Sequence, residues 1–441
     1  MDFTQLAETL QYLLGEYSNQ AARQSGFIQR QVKLSGAGFV QSLVFSWLQK
    51  PEASLGELSR TLASVSQGIS PQALEQRFTP QAAELLLRVV DKAINQIVAA
   101  QPVALELLQR FEAVYVVDSS TINLPKELVE LYRGCGSAGS ANYAGLKLHV
   151  QLDLLSGALS SFEISPASQH DAKSKVAQAQ IAKGILQIRD LGYWNLAQLA
   201  QQQTNGSYYV SRLKADTRIV DNKGKRWELA DFLASQSVRV QSLDLPMGVG
   251  WGKTVEGRLV AVRVQDTKVQ VQRQLRLKEQ ARKRQRPISA RQSLVSEWLV
   301  YFTNLSGEKA SLEEVVVLYR LRWQIELLFK LWKQAGGLEK WRSGKPYRIL
   351  CEVYAKLIGV IVSHWLSLLS GWEEGERSLV KASQVVRQYG LSMVLLLRQT
   401  SNLVDLFEVI RAVIRDTCRV NKRRKHPSAY QYCLDPSLVA S

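Results

Sequence analysis

Within residues 315–334, Tyr319, Arg322, Glu326, Lys330 and Lys333 recur at intervals of three and four. On a helix turning about 100° per residue they fall in a stripe roughly 80° wide. Val317, Leu318, Leu321, Ile325, Leu328, Phe329 and Trp332 line the arc beside it, and Trp323, Leu327 and Leu331 continue the apolar character round the other side. Such a pattern predicts one largely buried helix exposing a narrow polar seam. The seam carries one carboxylate among three cations and a phenol. A phosphate backbone held next to a metal-binding Glu326 satisfies every member of it. The plain structural alternative is an i,i+4 ion pair between Glu326 and Lys330, worth about 0.2–0.5 kcal/mol on an exposed face.

Two further acids stand at the ends of apolar runs: Asp118 in VVDSSTINLP and Asp190 in LQIRDLGYW. Carboxylates at the ends of neighbouring strands, with a Glu on a helix packed across them, cannot all stay ionised without a cation. An oxygen-only set suits Mg²⁺ or Mn²⁺. Two such ions about 3.5–4 Å apart activate an attacking oxygen and stabilise a leaving one at a phosphodiester. Taken singly, a strand-end Asp more often forms a turn.

The elements that must position these groups follow from patterning. The 441 residues carry a formal charge of +17 with only 22% charged residues, which favours a polyanionic partner. The opening MDFTQLAETLQYLLGEY is acidic and amphipathic, unlike a signal peptide. The longest apolar run, Leu357 to Leu369, is interrupted by Ser363, His364 and Ser367 and is too short to span a bilayer. Nucleic acid is therefore expected as partner, not membrane. The four cysteines and four histidines show no zinc spacing, which points to reduced thiols and a cytoplasmic chain.

Residues 1–108 read as a helical, DNA-binding domain. Ser54 and Glu57 have capping-box spacing, and Ser70-Pro71 and Thr79-Pro80 place cap residues before proline. Residues 109–341 read as an α/β domain. FEAVYVVDSSTINL predicts a strand, and Leu146, Leu148, Val150 and Leu152 alternate with Lys147, His149, Gln151 and Asp153 in a second. Gly157 turns into a third, followed by helix (171–183), strand, helix, strand. Residues 214–297 read as a β-rich insertion, with KVQVQ as one short strand. It ends in a run over 273–291 with eight Lys or Arg against one Glu. Residues 342–441 read as a helical domain and a candidate for dimerisation, with the basic cluster RVNKRRKHPS near its end. Gly134-x-Gly136-x-x-Gly139 spells a dinucleotide motif in the wrong context, between a helix and a strand. His149 and His170 are expected to be structural, with His170-Asp171 orienting the site.

These residues resemble a DDE transposase of the insertion-sequence-four type. DSSTINLP is similar to the first aspartate motif and Asp190-Leu191-Gly192-Tyr193-Trp194 to the D-x-G-Y-aromatic motif. Tyr319, Arg322, Glu326 and Lys333 reproduce the Y-x2-R-x3-E-x6-K signature without a gap. The segment GCGSAGSANYAGLKLHVQLDLLSG and the insertion before the Glu helix are also similar. The resemblance covers roughly residues 110–345. It implies an RNase H-like mixed sheet with a β-rich insertion, flanked by helical N- and C-terminal domains. It further implies that Asp118, Asp190 and Glu326 hold two Mg²⁺ or Mn²⁺ ions, and that Tyr319, Arg322 and Lys333 contact phosphates, with Lys330 on the same stripe. Trp298 matches a tryptophan that stacks on a flipped-out base in hairpin-forming members, against the alternative of a core side chain. The implied activity is hydrolysis at transposon ends and strand transfer into target DNA, cut-and-paste and through a hairpin. A homodimer acting at the nucleoid is expected to carry it out. The rivals are an RNase H-like nuclease without strand transfer and a catalytically silent DNA-binding regulator.

Overall fold

The computed structural model describes residues 1–30, 34–135, 143–252, 254–283, 285, 287–421 and 427–439. The dinucleotide-like spelling from Gly136 onward, with the rest of the segment to Ala141, and the basic cluster at 422–426 lie outside them. Among the described residues there are ten strands: β1 (Val114–Leu124), β2 (Ala144–Asp153), β3 (Leu159–Pro166), β4 (Leu186–Arg189), β5 (Tyr208–Arg212), β6 (Arg218–Asp221), β7 (Arg226–Glu228), β8 (Ser242–Val249), β9 (Val255–Arg263) and β10 (Trp298–Thr303). They hydrogen-bond in the order β3-β2-β1-β4-β5-β10-β9-β8-β6-β7, the mixed sheet that the resemblance implies. The chain divides into two compact units, one of residues 1–104, 118–170 and 324–424, the other of residues 105–117, 171–323 and 425–441.

In the first unit, short helices begin where the caps predict. Ser54 accepts from Glu57 N–H in a full capping box, and Ser70 and Thr79 cap helices that each open with proline. The helices Gly36–Gln49 and Pro80–Ile94 pack against Pro346–Leu369, as do Leu379–Gln388 and Thr400–Thr417. Pro346–Leu369 is long and apolar enough to cross a bilayer, but the unit buries it from Ile349 to Leu368 and it serves as the core. β2 and β3 form the predicted antiparallel hairpin. Gly157 turns it at φ +70°, where a Cβ would collide with Leu368 and Trp372.

The alternation along β2 predicts one wet face, yet every residue of it is buried. Its polar face is satisfied locally. His149 Nε2 pairs with Ser165 Oγ at 2.9 Å, Lys147 Nζ donates to the Gln169 carbonyl at 2.6 Å, and Asp153 accepts from Leu155 N–H at 3.1 Å.

In the second unit, β4 runs parallel to both Val114–Val117 of β1 and to β5, and β10 pairs antiparallel with β5 and β9. Apolar side chains of β5, β8, β9 and β10 form the core under this sheet. Two expectations are corrected here. The helix expected over 171–183 is one 3₁₀ turn at Asp171–Lys173 and a single α-turn at Lys175–Gln178, because Ala179 already adopts extended backbone. The KVQVQ alternation is not a strand: it opens the seventeen-residue helix Thr267–Lys283. Its Gln, Arg, Leu, Lys and Glu continue a strong helical preference that outweighs five alternating residues.

Candidate active site

The expected continuous helix through 315–334 is broken. Leu312–Arg320 ends in a tightened turn, with Arg322 N–H donating to the Tyr319 carbonyl at 3.1 Å, and a new helix runs Trp323–Gln334. The break changes which side of the second helix is covered. Ile325, Leu328, Phe329 and Trp332 are buried, whereas Trp323 and Leu327 are 53% and 44% exposed and Lys330 is exposed beside them. The seam is therefore not the only open face: a mixed apolar and basic one lies next to it.

In the second unit, β4 is buried along its whole length and delivers Asp190 at its end, half-buried, where the chain enters the 3₁₀ turn Leu191–Tyr193. Tyr319 Oη donates to Asp190 Oδ1 at 3.3 Å. The Tyr319 ring is only 8% exposed and lies 4.7 Å from the ring of Tyr301. Burial, and then the Asp190 charge, push the Tyr319 hydroxyl well above the ordinary phenol range, so it stays a donor. The Arg322 guanidinium sits 5.9 Å from the Tyr319 ring centre.

In the first unit, Asp118 and Glu326 are both half-buried. Asp118 is the fifth of eleven residues in β1, not the end of the strand; what ends there is the apolar stretch Val114–Val117. Its Oδ1 accepts from the Ser119 N–H at 2.8 Å. Glu326 lies in the first turn of Trp323–Gln334. Two turns further, Lys333 Nζ donates to the Thr121 carbonyl of β1 at 2.6 Å and pairs with Glu339 at 2.8 Å. Glu339 stands beyond the helix with no periodic relation to Lys333, so no sequence pattern announces it.

Among the described residues, no three His, Cys, Asp or Glu side chains form a metal-holding group. Asp118 and Glu326 in the one unit and Asp190 in the other each offer carboxylate oxygen, the donor type that suits a hard divalent cation.

Trp298 is placed where a base cannot reach it. It is 1% exposed within the core cluster, and the Arg263 guanidinium covers its ring at 4.4 Å. Its carbonyl accepts from Arg273 at 2.8 Å. The core alternative is the one observed, because β10 lies between β5 and β9 and turns the first ring of the strand inward.

Comparison with known proteins bears on these residues. A family model described as the transposase DDE domain matches residues 109–361. The transposase for insertion sequence element IS231F of Bacillus thuringiensis subsp. israelensis is 30% identical over 377 residues, 80% of this chain and 78% of that protein. The transposase for insertion sequence element IS1151 of Clostridium perfringens is 25% identical over 399 residues, covering 84% and 83%. The putative transposase InsL for insertion sequence element IS186A of Escherichia coli (strain K12) is 26% identical over 233 residues, covering 51% and 62%.

Proposed function

Because the chain belongs to the DDE transposases of the insertion-sequence-four type, we propose that it cuts both strands at the ends of an insertion sequence and joins the freed 3′-OH to target DNA. It is an enzyme that acts on DNA, and a DDE domain implies dependence on a divalent metal. In our reading Asp118, Asp190 and Glu326 hold two Mg²⁺ or Mn²⁺ ions. Bound there, the ions supply Lewis acidity at the scissile phosphodiester. The chain's own residues orient and bind. Tyr319 fixes one oxygen of Asp190, and Arg322, Lys330 and Lys333 grip phosphates of the transposon end. The route is cut-and-paste through a hairpin, carried out by a homodimer bound to two ends.

The observation that carries this reading is the Tyr319–Asp190 hydrogen bond. It joins the second aspartate motif to the helix signature, two sequence features separated by more than a hundred residues. A joining assay tests it: precut, end-labelled transposon DNA is incubated with a supercoiled plasmid and Mg²⁺. Labelled plasmid is expected. Cleavage of uncut ends without joining would favour a plain nuclease, and end binding with no metal-dependent product would favour a silent regulator.

A further inference from the structure

The helix Thr267–Lys283 in the insertion is anchored along one face, the inner one. Arg273 donates to the carbonyls of Ser296 and Trp298, each at 2.8 Å, Gln274 to Ser293 Oγ and Ser296 Oγ, and Gln270 to the Val264 carbonyl. Together with Leu277 these residues mark the side turned toward the sheet. At about 100° per residue, Lys268, Val271, Leu275, Lys278 and Arg282 gather on the opposite side, with Arg276 at its margin. All six are exposed, Val271 and Leu275 each to 58%. None of the four cationic side chains makes an ion pair among the described residues, and Glu279 is the helix's single acid.

We propose that this outer face is a second, sequence-independent docking surface for duplex DNA, held by its phosphates. Lys268 and Arg282 stand about 21 Å apart along the axis at roughly 1.5 Å per residue. That span exceeds the major groove width of about 12 Å, so cations at both ends reach phosphates on both walls while Val271 and Leu275 face the groove. A second copy of the same face is a poor occupant, because it brings cations onto cations. The chain's +17 charge supplies long-range attraction for a polyanion. The inner anchors are polar and backbone-directed, so the helix keeps its place when its outer charges are removed. The surface rests on the reading of the chain as a DNA-acting enzyme and adds a contact that the signature residues do not provide.

The test uses full-length protein carrying Lys268→Gln, Lys278→Gln and Arg282→Gln together, and a labelled duplex of unrelated sequence. Binding should weaken tenfold or more at about 0.1 M salt, and the slope of log affinity against log salt should flatten by about 2–3, near 0.9 per lost phosphate contact. Circular dichroism and the melting temperature should be unchanged. Equal affinity and slope for wild type and variant would overturn the proposal alone. A wild type with no affinity for duplex would overturn the DNA reading and the proposal with it. Loss of binding to phosphatidylserine vesicles, or of self-association in sedimentation, with DNA binding intact would assign the face to a membrane or a second copy instead.

Discussion

Tyr319 donates its phenolic hydrogen to Asp190 Oδ1 at 3.3 Å, so the tyrosine of the helix signature meets the aspartate that follows β4. Removing the hydroxyl while keeping the ring isolates that role. Tyr319→Phe should leave end binding within twofold and slow metal-dependent nicking roughly fivefold, the equivalent of about 1 kcal/mol for a long hydrogen bond. Filter binding and single-turnover cleavage separate the two effects. Weakened binding at unchanged cleavage rate would return Tyr319 to a phosphate contact.

Asp118, Asp190 and Glu326 differ from the cationic residues in what their loss should do. Alanine at any one should abolish Mg²⁺- or Mn²⁺-dependent cleavage and leave end binding within a few fold. Nicking gels run beside gel-shift titrations measure both. A variant that still nicks at near wild-type rate removes its residue from the site.

Lys333 is shared between the Thr121 carbonyl and Glu339. With Glu339→Gln the cation loses its anionic partner and keeps its anchor on β1. End affinity should rise a few fold, and its salt dependence should steepen by up to one phosphate's worth. Because Glu339 is 42% exposed, the stability change should stay under about 1 kcal/mol. An unchanged salt slope would mean that Lys333 is only a structural tie.

Trp298→Ala empties a buried ring position and should cost about 3–5 kcal/mol. Calorimetry should show earlier melting, and nicking, hairpin formation and hairpin opening should slow together. Selective loss of the hairpin steps at an unchanged melting temperature would restore the base-stacking role.

His364, buried in the Pro346–Leu369 helix, donates its Nε2–H to the Gly157 carbonyl at 2.9 Å. Burial pushes its pKa down to about 4. The unfolded chain therefore binds the extra proton between the ordinary value of about 6.5 and 4, and stability falls with pH across that window. No stability is lost on this account above about pH 6.5, and the loss grows to roughly 3 kcal/mol as the pH falls to 4. Urea titrations at pH 7 and pH 4.5 should show the loss, and His364→Gln should shrink it. A pH response identical in wild type and variant would sink the assignment.

Strands, hairpin and caps were legible because each rests on local chemistry: the apolar run of β1, the alternation along β2, Gly157 at the turn, Ser54 with Glu57 at a helix start. What stayed hidden depends on tertiary contact. The stripe from Tyr319 to Lys333 reads as one helix because periodicity does not register a tightened turn at Arg322. KVQVQ reads as a strand because five residues alternate, although the next eleven favour helix. The wet face of β2 is dry because partners such as Gln169 and Ser165 lie on and beyond the neighbouring strand. In the candidate site, the residue types were legible and their partners were not. Nothing in the spacing tells whether Tyr319 points at a phosphate or at Asp190, or that Trp298 lies under Arg263.

The core role of Pro346–Leu369 also sets a clock. Helices Gly36–Gln49 and Pro80–Ile94 rest on it, yet it leaves the ribosome roughly 250 residues after them. At about 5–20 residues per second that is on the order of 10–50 s during which the early helices pack only on one another and lack the surface that completes their core. A newly made chain thus matures only near the end of its own synthesis. Any message cut short before codon 346 yields a product without its keystone, destined for proteolysis and not for work on DNA.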